Sequence, residues 1–400
     1  MKLAFVSPFL PPSWSGQAVV IYRLLKDLSA EDYCLISKQD YRTEAFRGSY
    51  SRRLPGKYYR LSSGVQIAPD GRFRRLKRLE LVNMLRIVSW SGQIASIVRR
   101  ENCGAIVACT AGLLEMPAGY LASRLAGVPF YPYIFDYYSY QWTDPLKRRF
   151  AEFFEPIVLR GAAGIIVPNE FMRDELFNRY SVESTVIHNP CDLAPYRAAP
   201  NGELTRNNGE IKIVYTGAVY EAHYDAFRNL LAAIERLAQP NLKLHLYTAQ
   251  LPHDLEEKGL DGPIVFHEHQ ATSFMPGIQQ QASLLFLPLA FSSPYPEVIR
   301  TSSPGKIGEY LAARRPILVH APADTFVAWY FRQHECGLVV DKCDPGELAQ
   351  AIERILQNAD LRQGLGTRAW DRACSDFGLP VVQARFGRLV KLSVNGLSRS

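Results

Sequence analysis

The sequence of 400 residues contains no uninterrupted apolar run long enough to cross a bilayer, which takes about 18 residues or more. Its longest candidate, Leu284–Phe291, is interrupted by Pro288. The opening stretch, Met1–Val6, is too short for the apolar core of a signal peptide, and prolines follow it closely. We therefore expect no transmembrane helix or signal peptide, and we expect Met1–Val6 to form a first buried strand.

Cysteine and histidine are sparse and scattered. None of the seven cysteines forms a CxxC pair, and only His267 and His269 among the eight histidines lie close together. This pattern indicates reduced thiols in a cytoplasmic protein and no metal site. No G-x-G-x-x-G follows the first strand, which argues against an NAD-dependent enzyme.

The charge is distributed unevenly. The composition, 47% hydrophobic and 21% charged, is that of a globular protein. Of the net charge of +7, residues 41–100 carry +11, from 14 basic residues and three acids, and the other 340 residues carry −4. A basic excess in one stretch indicates an anionic partner or surface.

Short apolar segments alternate with amphipathic ones in two series separated by a polar stretch, residues 201–210. The pattern predicts an α/β fold with two doubly wound parallel sheets. Strands are expected at 2–7, 33–37, 105–109, 130–135 and 164–167, and then at 211–215, 242–248, 263–267, 284–288, 316–320 and 337–341. Helices are expected at 19–28, 113–126, 145–160, 225–238, 344–358 and 367–395.

The segment 302–318 combines a turn, a lysine and a carboxylate. Ser302, Ser303, Pro304 and Gly305 are turn and N-cap residues, and proline suits the first helical turn. Free N–H groups at a helix start bind anions, Lys306 adds a positive charge, and Glu309 can accept hydrogen bonds from paired sugar hydroxyls. These features predict a site for the phosphates and ribose of a nucleotide. The alternative is an ordinary connection between a helix and a strand.

This segment resembles the donor-binding motif of the retaining GT4 glycosyltransferases, which have the GT-B fold. The matching residues are Pro304, Lys306, Glu309, Tyr310, Leu311, Ala312, Pro316 and Ile317. Weaker matches in the expected order are Pro12–Gly16, Val186–Asp192 and Ile213–Gly217. Together the matches extend over nearly the whole chain.

The resemblance implies two Rossmann-like domains facing a central cleft. Residues 1–200 would bind the acceptor, residues 201–370 the nucleotide-sugar, and residues 371–400 would form a helix that packs back on the first domain. Glu309 would hold the ribose, the turn Ser302–Lys306 would face the diphosphate, and Gly16 and Gly217 would lie near the donor. No metal or other cofactor is expected, and the reaction would retain the anomeric configuration.

The chain departs from the family pattern in two places on the donor side. Thr301 stands where many members have the first glutamate of E-x7-E, so sugar recognition is altered or Glu297 acts instead. The stretch 218–224 lacks the usual arginine and lysine. The diphosphate would then depend on Lys306, backbone amides and either Arg300 or His223, the alternative for His223 being a solvated loop.

On the acceptor side, the family's His-Asp pair is reduced to Phe135-Asp136. Asp136 follows a strand, at the sheet edge where open α/β folds bind ligands, so we assign it an acceptor-side catalytic role. A helix-capping role is the alternative. Nearby aromatic residues suit either stacking on sugar rings or a core: Tyr131, Tyr133, Tyr137, Tyr138, Tyr140 and Trp142.

A basic segment precedes an amphipathic pattern in the first domain. Its cations are Arg72, Arg74, Arg75, Lys77 and Arg78, and the apolar residues that follow at helical spacing are Leu81, Met84, Leu85 and Val88. This arrangement suits an anionic membrane surface and hence a polyprenyl-linked acceptor. The alternative is a solvated basic face beside a core-packed helix. Nucleic acid is not expected, because no binding motif accompanies the charge.

The sequence thus predicts a cytoplasmic, membrane-facing glycosyltransferase of the hexosyltransferase type, acting in surface polysaccharide or glycoconjugate synthesis. Two alternatives stay open. One is a GT-B subunit that binds nucleotide or a partner without catalysis, and the other is a GT-B sugar-nucleotide epimerase. The sugar, the base, the acceptor and the linkage are not determined by the sequence.

Overall fold

The computed structural model describes residues 1–41, 52–62, 72–197, 209–268 and 270–392, with the backbone alone at 72–80. The chain divides into two compact units, one of Met1–Pro190 with Val382–Ser400 and one of Cys191–Val381. The sequence predicted a break near residues 191–210, with the first domain ending at residue 200, and in the structure the second unit begins at Cys191, the first residue of that range. The reason is that Cys191 already pairs with the end of the second unit, its N–H donating to the Phe377 carbonyl at 2.7 Å.

The first unit contains a seven-stranded parallel sheet in the order β3-β2-β1-β4-β5-β6-β7. Its strands are β1 Leu3–Val6, β2 Tyr33–Ser37, β3 Lys57–Arg60, β4 Ala105–Cys109, β5 Phe130–Tyr133, β6 Ile166–Val167 and β7 Thr185–Val186. Its helices are α1 Gly16–Leu25, α2 Arg72–Arg100, α3 Glu115–Ala126, α4 Pro145–Arg160 and α5 Glu170–Tyr180. Strands β1, β2, β4 and β5 are buried along their whole length, as expected when helices cover both faces of a parallel sheet.

The second unit contains a six-stranded parallel sheet in the order β10-β9-β8-β11-β12-β13. Its strands are β8 Ile211–Thr216, β9 Leu242–Tyr247, β10 Ile264–His267, β11 Leu284–Pro288, β12 Ile317–His320 and β13 Leu338–Val340. Its helices are α6 Tyr224–Leu237, α7 Pro252–Glu256, α8 Met275–Gln280, α9 Pro296–Arg300, α10 Ile307–Ala312, α11 Phe326–Gln333, α12 Pro345–Gln357 and α13 Ala359–Arg372. The predicted pair of doubly wound parallel sheets is confirmed. In each unit the strand order reverses beside the first strand, between β1 and β4 and between β8 and β11, which is where such folds bind ligands.

The C-terminal region is not the single helix predicted for 367–395. Helix α13 ends at Arg372, a π-helical turn occupies Ala373–Phe377, and α14 spans Leu379–Leu389. The core of the first unit includes Val382, Phe386 and Val390. The ring of Phe386 lies 6.0 Å from that of Phe5 on β1.

One helical segment passes the length and hydropathy test for a membrane span. This segment, Leu81–Arg100 in α2, has a mean hydropathy of 1.2, and half of it is buried inside the protein. The buried side chains Ile87, Trp90 and Ile94 belong to the first unit. The core helix of a soluble domain passes the same test, so length and composition do not distinguish such a helix from a membrane span.

Candidate functional site

The candidate site lies in the second unit, where β8 ends beside β11. Gly217 follows β8 with a φ of +124°, a conformation that residues with a side chain rarely adopt. Its N–H donates to the Tyr247 carbonyl at 2.9 Å. A Cβ added at Gly217 would lie 3.3 Å from the Lys306 Nζ. Glycine therefore permits both the turn and the close approach of the lysine.

The turn before α10 differs from the prediction. Helix α10 begins at Ile307, whose N–H donates to the Pro304 carbonyl at 3.0 Å, and Lys306 occupies the cap position without a side-chain cap hydrogen bond. The prediction that Ser302, Ser303 or Pro304 caps the helix is wrong, whereas the predicted turn is present, closed by the Pro304–Ile307 hydrogen bond. Those three residues precede a helix of six residues, so the turn residues and Lys306, rather than a long helix dipole, set the chemistry here.

The Lys306 ammonium lies against Tyr215, the buried tyrosine of β8. Its Nζ is 3.7 Å from the ring centroid and donates to the phenolic oxygen at 2.5 Å. The Tyr215 hydroxyl in turn donates to the Ala218 carbonyl at 2.7 Å. Burial lowers the pKa of Lys306 from 10.5 to about 7, and the charge of Glu309 opposes this shift. The site thus holds a cation that a bound anion would stabilise.

Glu309, in the first turn of α10, is held by a buried amide. Gln279 of α8 is fully buried, and its Nε2 donates to Glu309 Oε2 at 3.3 Å and to Thr216 Oγ1 at 3.2 Å. The Tyr310 hydroxyl oxygen accepts the Thr216 N–H at 3.0 Å. On another side of α10, Gly308 permits close packing against Cys191, since an added Cβ would lie 2.9 Å from Cys191 Cβ.

Thr301, the replacement for the family glutamate, is 2% exposed. Its hydroxyl donates to the Glu297 carbonyl at 3.0 Å, within α9 and its cap. The side chain of Glu297 is half-buried. Where many family members have a carboxylate, this chain therefore has a buried hydroxyl that donates to the backbone of the preceding helix.

His223 is buried, so the alternative that it lies in a solvated loop is wrong. It is 4% exposed, and its ring lies 4.3 Å from that of Tyr220 and 5.9 Å from that of Tyr215. Burial, reinforced by the charge of Lys306, lowers the pKa of His223 to about 2. The imidazole is consequently neutral at pH 7.

Two side chains that sequence reasoning missed order the loops around the site. The side chain of Gln250 bonds to both backbone groups of Val219. Its Oε1 accepts from the Val219 N–H at 2.6 Å, and its Nε2 donates to the Val219 carbonyl at 2.5 Å. Asp225 accepts the N–H groups of Phe291 and Ser292 at 2.9 and 2.8 Å. Sequence patterns could have marked only Asp225, as an acidic residue in the first turn of α6. Such residues are too common to indicate a site.

In the first unit, Asp136 lies on the loop after the carboxyl end of β5, and Gly16 begins α1, directly after the loop that follows β1. Asp136 is exposed, and its N–H donates to Thr110 Oγ1 at 3.3 Å. The Asp136 side chain does not cap a described helix; α4 is capped by Asp144. Gly16 is exposed at the start of α1, which is capped by Ser15.

Most of the aromatic residues near Asp136 are core residues. Those below 5% exposure are Tyr131, Tyr133, Tyr137 and Tyr138. Tyr140 is half-buried, and the guanidinium carbons of Arg148 and Arg179 each lie 4.6 Å from its ring centroid. The Nζ of Lys147 lies 5.6 Å from the ring centroid of Trp142. The rings of Tyr140 and Trp142 thus already stack with cations of their own chain.

The basic segment lies at the start of α2, where the backbone is helical from Arg72 to Arg100. The side chains of Arg72, Arg74, Arg75, Lys77 and Arg78 lie outside the described residues. The apolar side chains that follow are exposed: Leu81 57%, Met84 42%, Leu85 43% and Val88 60%. Helix α2 is therefore packed in the core, but through a face other than this stripe.

No group of three or more His, Cys, Asp or Glu side chains in the described part of the chain is arranged to hold a metal ion. The expectation that the protein needs no metal or other cofactor stays a prediction.

Two family models match the chain. The model described as Glycosyl transferase 4-like domain matches residues 15–190, and the model described as Glycosyl transferases group 1 matches residues 210–358. Together they span most of both units. No curated protein sequence matches this chain significantly.

Solved structures share the fold along the full length. Anabaena Alr3699/HepE in complex with UDP has a TM-score of 0.69 at 15% identity, covering 98% of this chain and 100% of its own, and a further structure of it contains UDP-glucose. The sucrose-phosphate synthase of Thermosynechococcus elongatus has a TM-score of 0.66 at 15% identity, with 98% of both chains covered. The lipopolysaccharide outer core galactosyltransferase WaaB has a TM-score of 0.63 at 12% identity, covering 98% of this chain and 99% of its own.

Proposed function

This chain belongs to the glycosyltransferase group 1 family and has the GT-B fold, and from that premise we propose that it transfers a sugar from a nucleotide-sugar to a glycan or lipid-linked acceptor. The observation that carries the proposal is the arrangement around Gly217. A lysine ammonium and a carboxylate one helical turn apart lie at the end of β8, where the strand order of the second sheet reverses.

The donor contacts follow from the chemistry of these groups. Lys306, with its lowered pKa, gains a favourable counter-charge from a diphosphate. The turn Ser302–Lys306 supplies backbone amides beside Lys306, which compensate for the missing arginine and lysine. Glu309 accepts hydrogen bonds from the ribose hydroxyls. The UDP and UDP-glucose in the Anabaena structures support a uridine nucleotide and a hexose.

The reaction breaks the bond between the anomeric carbon and the diphosphate and forms a glycosidic bond to an acceptor hydroxyl. Lys306 and the backbone amides stabilise the negative charge that develops on the leaving diphosphate. Asp136 orients the acceptor hydroxyl. Retention of configuration is proposed from family membership. Because Thr301 offers a hydroxyl bonded to Glu297 in place of a carboxylate, contacts to the transferred sugar differ from those of E-x7-E enzymes.

Thermal shift with UDP-, GDP-, dTDP- and CMP-sugars tests the donor site. Binding stabilises the native state by about 2.7 kcal/mol at a ligand concentration of 100 Kd. We expect a shift with UDP-sugars that is lost in Lys306→Met and Glu309→Ala. The matched controls are Lys342→Met and Glu347→Ala, which disrupt an exposed lysine–glutamate pair in the same unit. Absence of a shift with every nucleotide-sugar contradicts the assignment.

A nucleotide-binding subunit without catalysis is the second candidate, because Thr301 replaces the family glutamate and residues 218–224 contain no arginine or lysine. It predicts a thermal shift without turnover. A sugar-nucleotide epimerase, the remaining alternative, predicts interconversion of the donor sugar without an acceptor. Chromatography of the nucleotide-sugars after incubation separates these outcomes from transfer.

We propose that the acceptor is lipid-linked and that α2 binds the cytoplasmic face of an anionic membrane. The exposed stripe at Leu81, Leu85 and Val88 supports this, since amphipathic surface helices insert such a stripe between headgroups. Basic positions 74, 77 and 78 precede Leu81 by seven, four and three residues, which is the spacing of one helical face. The WaaB neighbour, a lipopolysaccharide enzyme by its name, supports a surface glycan as product.

Flotation with liposomes tests this surface. We expect the protein to float with anionic vesicles at low salt and to stay behind with neutral ones. Leu85→Glu with Val88→Glu should abolish flotation, whereas the same changes on another exposed pair, Phe153 and Ile157 of α4, should not. Absence of flotation at low salt removes the membrane proposal and leaves the donor site unaffected.

A further inference from the structure

We propose that Gln279 is a positioning residue that orients the Glu309 carboxylate toward the ribose of the donor; this inference rests on the proposed function. Gln279 is fully buried on α8. Its Nε2 lies 3.3 Å from Glu309 Oε2 and 3.2 Å from Thr216 Oγ1. One amide nitrogen thus connects the carboxylate on α10 to the last residue of β8.

The orientation of the Gln279 amide is determined by its partners. The Tyr196 hydroxyl donates to Gln279 Oε1 at 2.7 Å, so the amide oxygen faces a donor. A flipped amide would place this oxygen against the Glu309 carboxylate and its NH2 group against the Tyr196 hydroxyl. The carboxylate, which only accepts, therefore excludes the flipped amide, and the Tyr196 hydroxyl supports the observed orientation by donating to the oxygen.

The residues that hold Glu309 lie in a dry environment, whereas Glu309 itself is half-buried. Tyr196 is 3% and Thr216 is 5% exposed, and the Thr216 hydroxyl lies within 3.5 Å of the Tyr310 hydroxyl, which also accepts the Thr216 N–H. Since water has little access to Gln279 and Thr216, solvent does not replace a hydrogen bond lost between them. Gln279 and Thr216 thereby hold the Glu309 carboxylate in one orientation, and its other oxygen is left to accept from the ribose.

The residue next along the chain provides a matched control. Gln280 has the same side chain and ends the same helix, but its Nε2 donates to the backbone carbonyl of Tyr196 at 3.4 Å. It therefore contacts Tyr196 without contacting Glu309. Gln280→Met removes an amide from α8 and leaves the Gln279–Glu309 hydrogen bond in place.

The experiment measures binding of UDP and of 2′,3′-dideoxy-UDP, which lacks the ribose hydroxyls, by titration calorimetry. We expect Gln279→Met to weaken UDP binding about tenfold, the size of one charge-assisted hydrogen bond. Dideoxy-UDP binding should not change, and Gln280→Met should bind both ligands as the native protein does. In a Glu309→Ala background, Gln279→Met should have no further effect on UDP.

Equal weakening of UDP and dideoxy-UDP by Gln279→Met overturns the inference, because a general structural defect does not distinguish the ribose. If Gln279→Met does not fold, Gln279→Glu keeps an acceptor for Tyr196 and places a carboxylate opposite Glu309. That variant should lose UDP affinity more than dideoxy-UDP affinity, and equal losses again overturn the inference. If the native protein binds neither ligand, the uridine donor assignment fails instead.

Discussion

Lys306 is a cation in surroundings that favour its neutral form. Its Nζ lies over the Tyr215 ring and beside Gly217, and burial lowers its pKa to about 7. Glu309 offsets only part of this effect. A bound diphosphate supplies the missing negative charge and raises the pKa of the lysine again, so that donor binding and proton uptake are linked.

Donor affinity should therefore fall as the pH rises through 7. If the diphosphate binds the protonated lysine, the dissociation constant for UDP-glucose increases about tenfold between pH 6 and pH 8. The diphosphate of UDP-glucose is esterified at both ends and does not titrate in this range. Titration calorimetry at several pH values measures the effect, and Lys306→Met should remove it. A pH-independent constant in the native protein contradicts this account of Lys306.

Gly217→Ala tests the geometry of the turn. The φ of +124° and the 3.3 Å distance from a Cβ to Lys306 Nζ both oppose a side chain. We expect a loss of about 1 to 3 kcal/mol in unfolding free energy, measured by urea denaturation, together with weaker UDP-sugar binding. Gly277→Ala is the control, because its added Cβ meets nothing within 4 Å. Equal unfolding free energies of the two variants would contradict the requirement for glycine at position 217.

At the residue scale, sequence patterns singled out Lys306, Glu309 and Gly217 because each lies in a local motif, and their donor-binding role stays a prediction. Gln279 and Asp225 act on segments distant in sequence, so no local spacing marks them. The serines of the turn were misassigned for a similar reason. Ser, Ser and Pro suit a helix cap by composition, but α10 starts at Ile307.

At the scale of elements, α2 has two faces with different roles. Ile87 is 3% exposed and packs in the first unit, whereas its neighbour Val88 is 60% exposed. Helical spacing predicted an amphipathic pattern from Leu81 to Val88. Helical spacing does not determine which face of α2 the first unit covers, because the covered face depends on the packing of α2 against α3.

Substitutions on the two faces should separate these roles. Val88→Glu should change the unfolding free energy by less than about 0.5 kcal/mol, as an exposed change does. Ile87→Ala should cost about 2 to 4 kcal/mol through loss of buried area and the cavity left behind. Urea denaturation followed by circular dichroism measures both. A large loss for Val88→Glu would mean that this stripe is covered in the folded protein.

Over the whole molecule, apolar segments predicted the strands that are buried on both faces, since such strands read as short apolar runs, but the partly exposed β3 and β7 were not predicted. Strands β2, β4 and β11 and helix α4 have the predicted bounds. The unit boundary and the C-terminal helices depended on distant pairing instead. Cys191 bonds to Phe377, and Phe386 packs on Phe5, contacts that no local pattern contains.

The central claim, sugar transfer by this chain, is tested most directly by turnover. The purified protein is incubated with UDP-hexoses, with and without a lipid extract as acceptor source, and released UDP and labelled product are measured. We expect UDP release that depends on the acceptor and is lost in Lys306→Met but kept in Lys342→Met. Binding of UDP-sugars without release of UDP or labelled product, with every hexose and extract, would contradict transfer and favour the non-catalytic subunit.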